Sequence, residues 1–402
     1  MKDSIEDLAL FGGRPLLSRP VVVGRPNVGD RARFHRLLDE ALDSGRLTHC
    51  GPLVREFERR VAEAAGVRHC VAMCNATLAL SVLARAAGIA GEVIMPSLTY
   101  VATPHAMRFL GLRPVFCDVD PETGCLDPAR VERLITPRTG AILGVHLWAQ
   151  PCDADALQEI ADRHGLPLFF DAAQALGSRH RGRPVGGLGR AEVFSFHATK
   201  VVNAFEGGAV VTDDERLAER VRAVHNFGKD ATGLVGGVGT NAKMTEGAAA
   251  MGIVSLEALD DSIARNVRRH DRYAAELAGV PGLRLHRYGG PHANNHQYAI
   301  VRIDPEVAGV HRDLVLTALA AENVFAQPYF SPGCHQLEPY ATENPVSLPV
   351  TERLADQVLA LPTGQGVTDD EVVQISRILR MIVGNGAEVT RRSLRPAAAT
   401  TS

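Results

Sequence analysis

Chemistry in this chain could be organised around a lysine that follows a short apolar strand. Val193-Phe194-Ser195-Phe196 is a β-branched and aromatic run, and His197-Ala198-Thr199-Lys200 follows directly, so Lys200 falls where a strand empties into a loop. Desolvated in a pocket, such an amine has a lowered pKa and is nucleophilic enough to form a Schiff base with an aldehyde or ketone, the chemistry that anchors pyridoxal phosphate. Left on the surface, it is an ordinary loop lysine. Downstream, Gly207-Gly208 breaks the chain ahead of Ala209-Val210-Val211-Thr212, a second apolar strand closed by Asp213-Asp214. Upstream, Leu166-Pro167-Leu168-Phe169-Phe170 ends in Asp171-Ala172-Ala173-Gln174. This puts a carboxylate at the carboxyl end of a buried parallel strand, where ligands of open α/β sheets bind. The carboxylate could pair with a protonated pyridine nitrogen and keep the ring an electron sink, or it could cap the following segment.

Phe170-Asp171-Ala172-Ala173-Gln174, Ser195-Phe196-His197-Ala198-Thr199-Lys200 and Glu206-Gly207-Gly208-Ala209, in that order, resemble the sugar aminotransferases of the DegT/StrS type. The resemblance spans about residues 8 to 383. It implies an α/β fold, the PLP-dependent transferase fold type I, in which a large domain with a mostly parallel seven-stranded sheet between helices carries a smaller C-terminal α/β domain. It also implies that Lys200 is the Schiff-base lysine, Asp171 the partner of the pyridine nitrogen, Gln174 a contact near the phenolic oxygen and Ser195 a phosphate ligand.

The remaining elements are read for what they would position. His69 to Cys74 reads as the first sheet strand, turning through Asn75-Ala76-Thr77 into a helix over Leu78 to Ala87. Free backbone N–H groups at that helix start would bind a phosphate through Ala76 and Thr77, although Asn75 or Thr77 as a plain N-cap accounts for the same residues. Glu92 to Met95, Val115 to Val119 and Ala141 to Val145 are further apolar strands; alternation with helical segments argues for a mostly parallel sheet covered on both faces. Tyr100, after the first of these strands, matches the family aromatic that stacks on the pyridine face, and would otherwise be a core or interface tyrosine. Ahead of the sheet, residues 8 to 27 read as an extended arm, Asp30 to Ser44 as a helix, and Ser44 to Pro52 as a loop leading to the helix Leu53 to Ala65. That loop resembles a family segment lying close to substrate, which nominates Thr48, but Arg46 stands where relatives carry an aromatic. Gly228 to Gly239 is glycine-rich and reads as a mobile loop; Asn241 beyond it resembles the asparagine that reaches the phosphate of the partner subunit's cofactor. From about Asp261 strands and covering helices of a smaller domain follow, with His296, Tyr329 and His335 as candidates to line the substrate cleft. The two histidines lack the carboxylate or thiol cluster that a metal site needs. The expected organisation is an arm (1–29), a large PLP-binding domain (30–260), a small C-terminal domain (261–384) and a disordered tail (385–402).

Composition narrows the class. A chain of 402 residues with 46% hydrophobic residues can bury a large core, and 43 Lys and Arg against 46 Asp and Glu leave a formal charge of −3, which argues against a nucleic-acid or membrane-surface role. Seven cysteines without a CxxC pair read as reduced thiols of a cytoplasmic protein. A charged start broken by Gly12-Gly13 does not read as a secretory signal, and no window reaches about 18 uninterrupted apolar residues.

The expected reaction is a glutamate-dependent transamination on a dTDP-keto-sugar, in a homodimer with both sites at the interface. His197 to Gly208 resembles the subset acting on dTDP-4-keto-6-deoxy-D-glucose to give dTDP-4-amino-4,6-dideoxy-D-glucose; relatives that aminate C3 more often carry Tyr-Pro or His-Pro before the lysine and Asn-Leu-Gly after it. The long match to actinobacterial enzymes of this kind suggests deoxysugar supply for a glycosylated natural product. The alternatives are C3 amination of a 3-keto-6-deoxyhexose nucleotide, a PLP-dependent sugar dehydratase, in which a histidine replaces the lysine, and a PLP-binding regulatory protein without turnover.

Overall fold

The computed structural model describes residues 2–288 and 293–394. Seven strands form the central sheet: β1 (His69–Met73), β2 (Glu92–Pro96), β3 (Arg113–Cys117), β4 (Thr139–Val145), β5 (Leu168–Asp171), β6 (Ala191–Ser195) and β7 (Gly208–Thr212). Their spatial order is β1-β7-β6-β5-β4-β2-β3, and β7 alone runs antiparallel to its neighbours. Every residue of β2, β5 and β7 is buried, as expected of strands covered on both faces. The period of two divides them between two cores: Phe170, Phe194 and Val211 face one layer, Phe169, Val193 and Val210 the other.

Local signals set the flanking helices. Asp30 accepts from Ala32 N (2.8 Å) and Arg33 N (3.1 Å) to start the helix Arg31–Ser44, and Gly45 at φ 65° ends it. The helix Pro52–Ala65 follows Gly51, which has no side chain to cap it. Its free N–H groups are met by the buried Glu246, whose Oε2 accepts from Leu53 N (2.8 Å) and Oε1 from Val54 N (3.3 Å). A Cβ at Gly51 would lie 2.6 Å from the Glu246 carboxyl carbon, so the bare glycine is what admits this long-range cap. Glu246 N also donates to Leu47 O (3.0 Å), tying the preceding loop to the same point.

The C-terminal part has its own antiparallel sheet, Leu283–Leu285, Ala299–Ile303 and Val358–Leu361, packed with the helices Leu259–Glu276, Arg312–Ala321 and Asp369–Gly384 around Tyr273, Val301, Leu319 and Leu379. The arm is less extended than its composition suggests. It forms two short 3-10 turns, and then Val21–Val22 pairs parallel with Val324–Phe325. Leu8, Leu17 and Val21 join the C-terminal core, and the Glu322 carboxylate accepts from Ala9 N and Leu16 N at 2.7 Å each. The expectation of a disordered tail from residue 385 is corrected: Gly386–Ser393 is a helix. Val389 is fully buried there, Arg391 and Arg392 pair with Glu388 three and four residues back, and a Cβ on Gly386 would collide with Ala308 O. Residues 395–402 of that expectation lie outside the described residues. Gly228 to Gly239 forms a largely exposed loop with its own hydrogen bonds: Asp230 N donates to Leu234 O (2.9 Å), Gly236 N to Gly228 O (3.0 Å), and Asp230 Oδ1 accepts from Thr232 N (2.8 Å).

No helix among the described residues is long and apolar enough to cross a membrane. Glu246→Ala should lower unfolding stability by about 1–3 kcal/mol, because two helix-end donors lose their acceptor. The midpoint of urea unfolding measures it, and an unchanged midpoint would show the cap to be dispensable.

Candidate active site

A cavity of about 620 Å³ opens at the carboxyl ends of β1, β2, β5 and β6. Asn75, Ala76 and Thr77 line it from the first of these ends, Tyr100 from the second, Asp171, Ala173 and Gln174 from the third, and Ser195, His197, Thr199 and Lys200 from the fourth. Glu206 stands just before β7, and Tyr298, Tyr329 and Phe330 close the cavity from the C-terminal part.

Two charged groups face each other across its floor. Lys200 is partly accessible as a residue, but its amine lies deep in the protein, and burial lowers its pKa to about 8 against the opposing pull of Asp171. Burial pushes the Asp171 carboxyl up, while hydrogen bonds from Thr103 Oγ1 (2.7 Å) and Ala173 N (3.1 Å) and the charge of Lys200 favour its ionised form. His146 is held beneath. Its Nδ1 accepts from Cys152 N (3.1 Å), which leaves the proton on Nε2, 3.3 Å from Glu192 Oε2, with both side chains fully buried.

The rim is set by backbone geometry. Asn75 Oδ1 accepts from Leu78 N (2.8 Å) and is therefore the N-cap of the helix Ala76–Ala87. Ala76 N and Thr77 N, as the first two helical donors, have no intrahelical acceptor and are left for an anion. The cap and phosphate readings of this segment thus fall to different residues. Gly208 brings β7 against that helix start: a Cβ there would lie 2.4 Å from Ala76 N. Gln174 Oε1 accepts from Trp148 N (2.7 Å), a residue held at φ 54°, so the Gln174 Nε2 donors are the end left for the cavity. Tyr100 is exposed and lies 5.9 Å, centroid to centroid, from Phe330, which stacks on Tyr329.

Among the expected site residues, Ala76, Thr77, Tyr100, Asp171, Gln174, Ser195, Lys200 and Tyr329 are brought together around one cavity. Thr48 is not: it sits on the exposed loop before Gly51. His296 does not line the cavity either: it lies 4.5 Å from His270 and 5.0 Å from Tyr288 by ring centroids, and burial lowers its pKa to about 4. Nor does His335: its Nδ1 bonds Ser97 Oγ (2.6 Å) and its Nε2 lies 3.3 Å from Glu352. Asn241 is exposed and does not line this cavity. Thr103 was not visible as a site residue, although it lies one helical turn beyond Tyr100; Tyr298 and Gln297 read as strand and loop rather than site. No group of three or more His, Cys, Asp or Glu suited to a metal occurs among the described residues.

A ring carrying an aldehyde, with a basic nitrogen at one end and a phosphate at the other, fits this distribution: amine and carboxylate on the floor, free N–H donors at the helix start. Cavity and sheet together define a pyridoxal-phosphate-dependent transferase of fold type I. Residues 29–380 match the DegT/DnrJ/EryC1/StrS aminotransferase family, and the chain belongs to that family. It is similar to DesI, solved in the presence of its TDP-sugar product, at 57% identity and a TM-score of 0.94, over 97% of this chain and 99% of that one. It is 32% identical to the dTDP-4-amino-4,6-dideoxy-D-glucose transaminase of Shigella dysenteriae, over 91% of this chain and 100% of the relative. Identity to the GDP-perosamine synthase of Caulobacter vibrioides is 35%, over 90% and 98%.

In the cofactor-free protein the Lys200 amine should become reactive around pH 8, whereas an ordinary lysine titrates near 10.4. Reductive methylation against pH, mapped by mass, reads this directly, because the chain has only three other lysines, Lys2, Lys229 and Lys243. Asp171→Asn should move the midpoint further down, since the carboxylate favours the charged amine. A midpoint near 10.4 would contradict the desolvated geometry.

Proposed function

We propose that this aminotransferase takes its amino group from L-glutamate and delivers it to C4 of dTDP-4-keto-6-deoxy-D-glucose, giving dTDP-4-amino-4,6-dideoxy-D-glucose. The enzyme class rests on the family, and the observation that carries the site is the buried amine of Lys200 facing the buried carboxylate of Asp171. The TDP-sugar product named for DesI and the name of the Shigella relative support the nucleotide and the position. Pyridoxal phosphate, when bound, supplies the aldehyde that carries nitrogen between the two substrates and a ring that stores the electron pair.

The protein's own groups account for binding, orientation and proton transfer. Ala76 N, Thr77 N and the Ser195 hydroxyl would hold the phosphate. Asp171, fixed by Thr103 and Ala173 N, would keep a positive charge on the ring nitrogen, and Gln174 Nε2 would donate to the phenolic oxygen. Tyr100 would cover the face of the ring. Lys200 in its neutral form is the base that removes a proton from the substrate carbon, and in its charged form the acid that returns one; a pKa of about 8 makes both forms accessible near neutrality. Tyr329, on the wall from the C-terminal part, would face the sugar. His197 turns to Thr199 Oγ1 (2.8 Å) and does not stand in for the lysine, which weighs against the dehydratase alternative.

The assembly proposed is a homodimer whose two sites share residues across the interface. Leu47, Phe227, Leu234 and Val235 are exposed apolar side chains on the loops that flank the Asn241 segment, which suits a face meant to be covered.

Offered the 3-keto and 4-keto dTDP-6-deoxyhexoses and a GDP-linked 4-keto-6-deoxyhexose with glutamate, the enzyme should form a C–N bond at C4 of the dTDP sugar, located by NMR. Amination of the 3-keto sugar alone would overturn the position, and preference for the GDP sugar the nucleotide. Mixed dimers of a Lys200→Ala subunit and an Asn241→Ala subunit should recover part of the activity that either variant lacks, because one of their two sites is intact. Folded mixed dimers that recover nothing would refute the shared site.

A further inference from the structure

Gln297 reaches the Lys200 loop from the C-terminal part of the molecule. It stands two residues before the strand Ala299–Ile303, and its side chain is buried. Its Oε1 accepts from Val201 N (3.2 Å) while its Nε2 donates to Thr199 O (3.2 Å). These two backbone groups belong to the residues on either side of Lys200, so one carboxamide straddles the lysine. The second Nε2 hydrogen goes to Tyr298 Oη (2.8 Å), on the cavity wall. Gln297 is itself fixed: its N donates to Asn295 Oδ1 (2.9 Å), and its O accepts from Thr363 Oγ1. Asn295 in turn donates to Gln174 O (2.7 Å) and Leu176 O (3.0 Å), so one short loop grips the chain after β5 and the chain after β6.

We propose that Gln297 is a positioning residue for Lys200, an assignment that rests on the reading of Lys200 as the reacting amine. Four methylenes separate that amine from its backbone, so a small rotation of the Lys200 peptide groups moves it by an ångström or more. A displacement of about 1 Å between reacting groups can cost about 100-fold in rate. Holding a carbonyl on one side and an N–H on the other takes one donor and one acceptor in a single plane, which is what a carboxamide presents. A carboxylate offers acceptors only and would oppose Thr199 O; a thioether offers neither strong group. Because Gln297 is uncharged, it fixes the loop without adding to the electrostatics that Asp171 supplies.

The test compares Gln297→Glu and Gln297→Met with the parent. In the cofactor-free proteins, mass-mapped reductive methylation should show the Lys200 midpoint raised in both variants, as the loosened amine regains water and, in Gln297→Glu, gains a nearby negative charge. In the loaded enzymes kcat should fall about 10- to 100-fold, with KM for either substrate within about threefold. Thermal unfolding of each variant establishes that it is folded before either quantity is read. A parental midpoint and kcat in Gln297→Met would overturn the assignment. So would a loss of activity that only tracks the loss of folded protein, with an unchanged midpoint. Borohydride reduction of the loaded parent separates this from the reading beneath it: label on a lysine other than Lys200 would defeat the functional reading, whereas the cofactor-free midpoints still report whether Gln297 sets the environment of Lys200.

Discussion

Desolvation of one amine against one carboxylate is the constraint on which this structure depends. Burial disfavours the charged forms of both Lys200 and Asp171, and each favours the charged form of the other. Neither could be placed alone at that depth without strong pressure to neutralise. The surroundings divide the work. Asp171 receives two hydrogen bonds that favour its carboxylate form; Lys200 receives no comparable help from its own side chain's neighbours and stays near the point where both protonation states are present.

What was legible in the sequence was whatever depends on neighbours in the chain. The buried runs ending at Asp171 and Ser195 mark strand ends, and strand ends in an open α/β sheet mark the ligand crevice. The helix start at Asn75 was legible as well, though not the division of labour between the Asn75 side chain and the Ala76 and Thr77 backbone, which needs the helix axis. Interactions between distant segments left no local trace. Glu246 capping a helix 192 positions earlier is one case, and Gln297 gripping a loop 96 positions earlier is another. His296 and His335, which do not line the cavity, illustrate the converse. Polar residues in loops suggest a cleft, but these rings are satisfied by packing and by Ser97, a fact carried by partners far away in sequence.

The tail failed for a related reason. Arg391-Arg392 followed by small residues looks unstructured by composition, yet Glu388 lies one turn back and Val389 finds a pocket against the C-terminal core. A short segment becomes a helix when tertiary packing takes one face of it, which propensity summed over the segment does not register.

The antiparallel course of β7 has a consequence for how this site can vary. Gly208 pairs with Ser195, Phe196 N donates to Gly207 O, and Ala198 N donates to Phe205 O, so the chain leaves the sheet after β6 and returns beside it. Lys200 is therefore carried on a closed hairpin and not on a crossover that threads past other strands. Within that hairpin Val201, Val202, Asn203 and Ala204 are buried, with Asn203 bonded to Asn27 O and Ser255 Oγ, and only Glu206 lines the cavity, while the sheet order, the floor carboxylate and the anion-binding helix start are established outside it. The amine can therefore be kept while the wall beside it changes at Glu206, whereas a change at positions 201–204 has to be absorbed by the core.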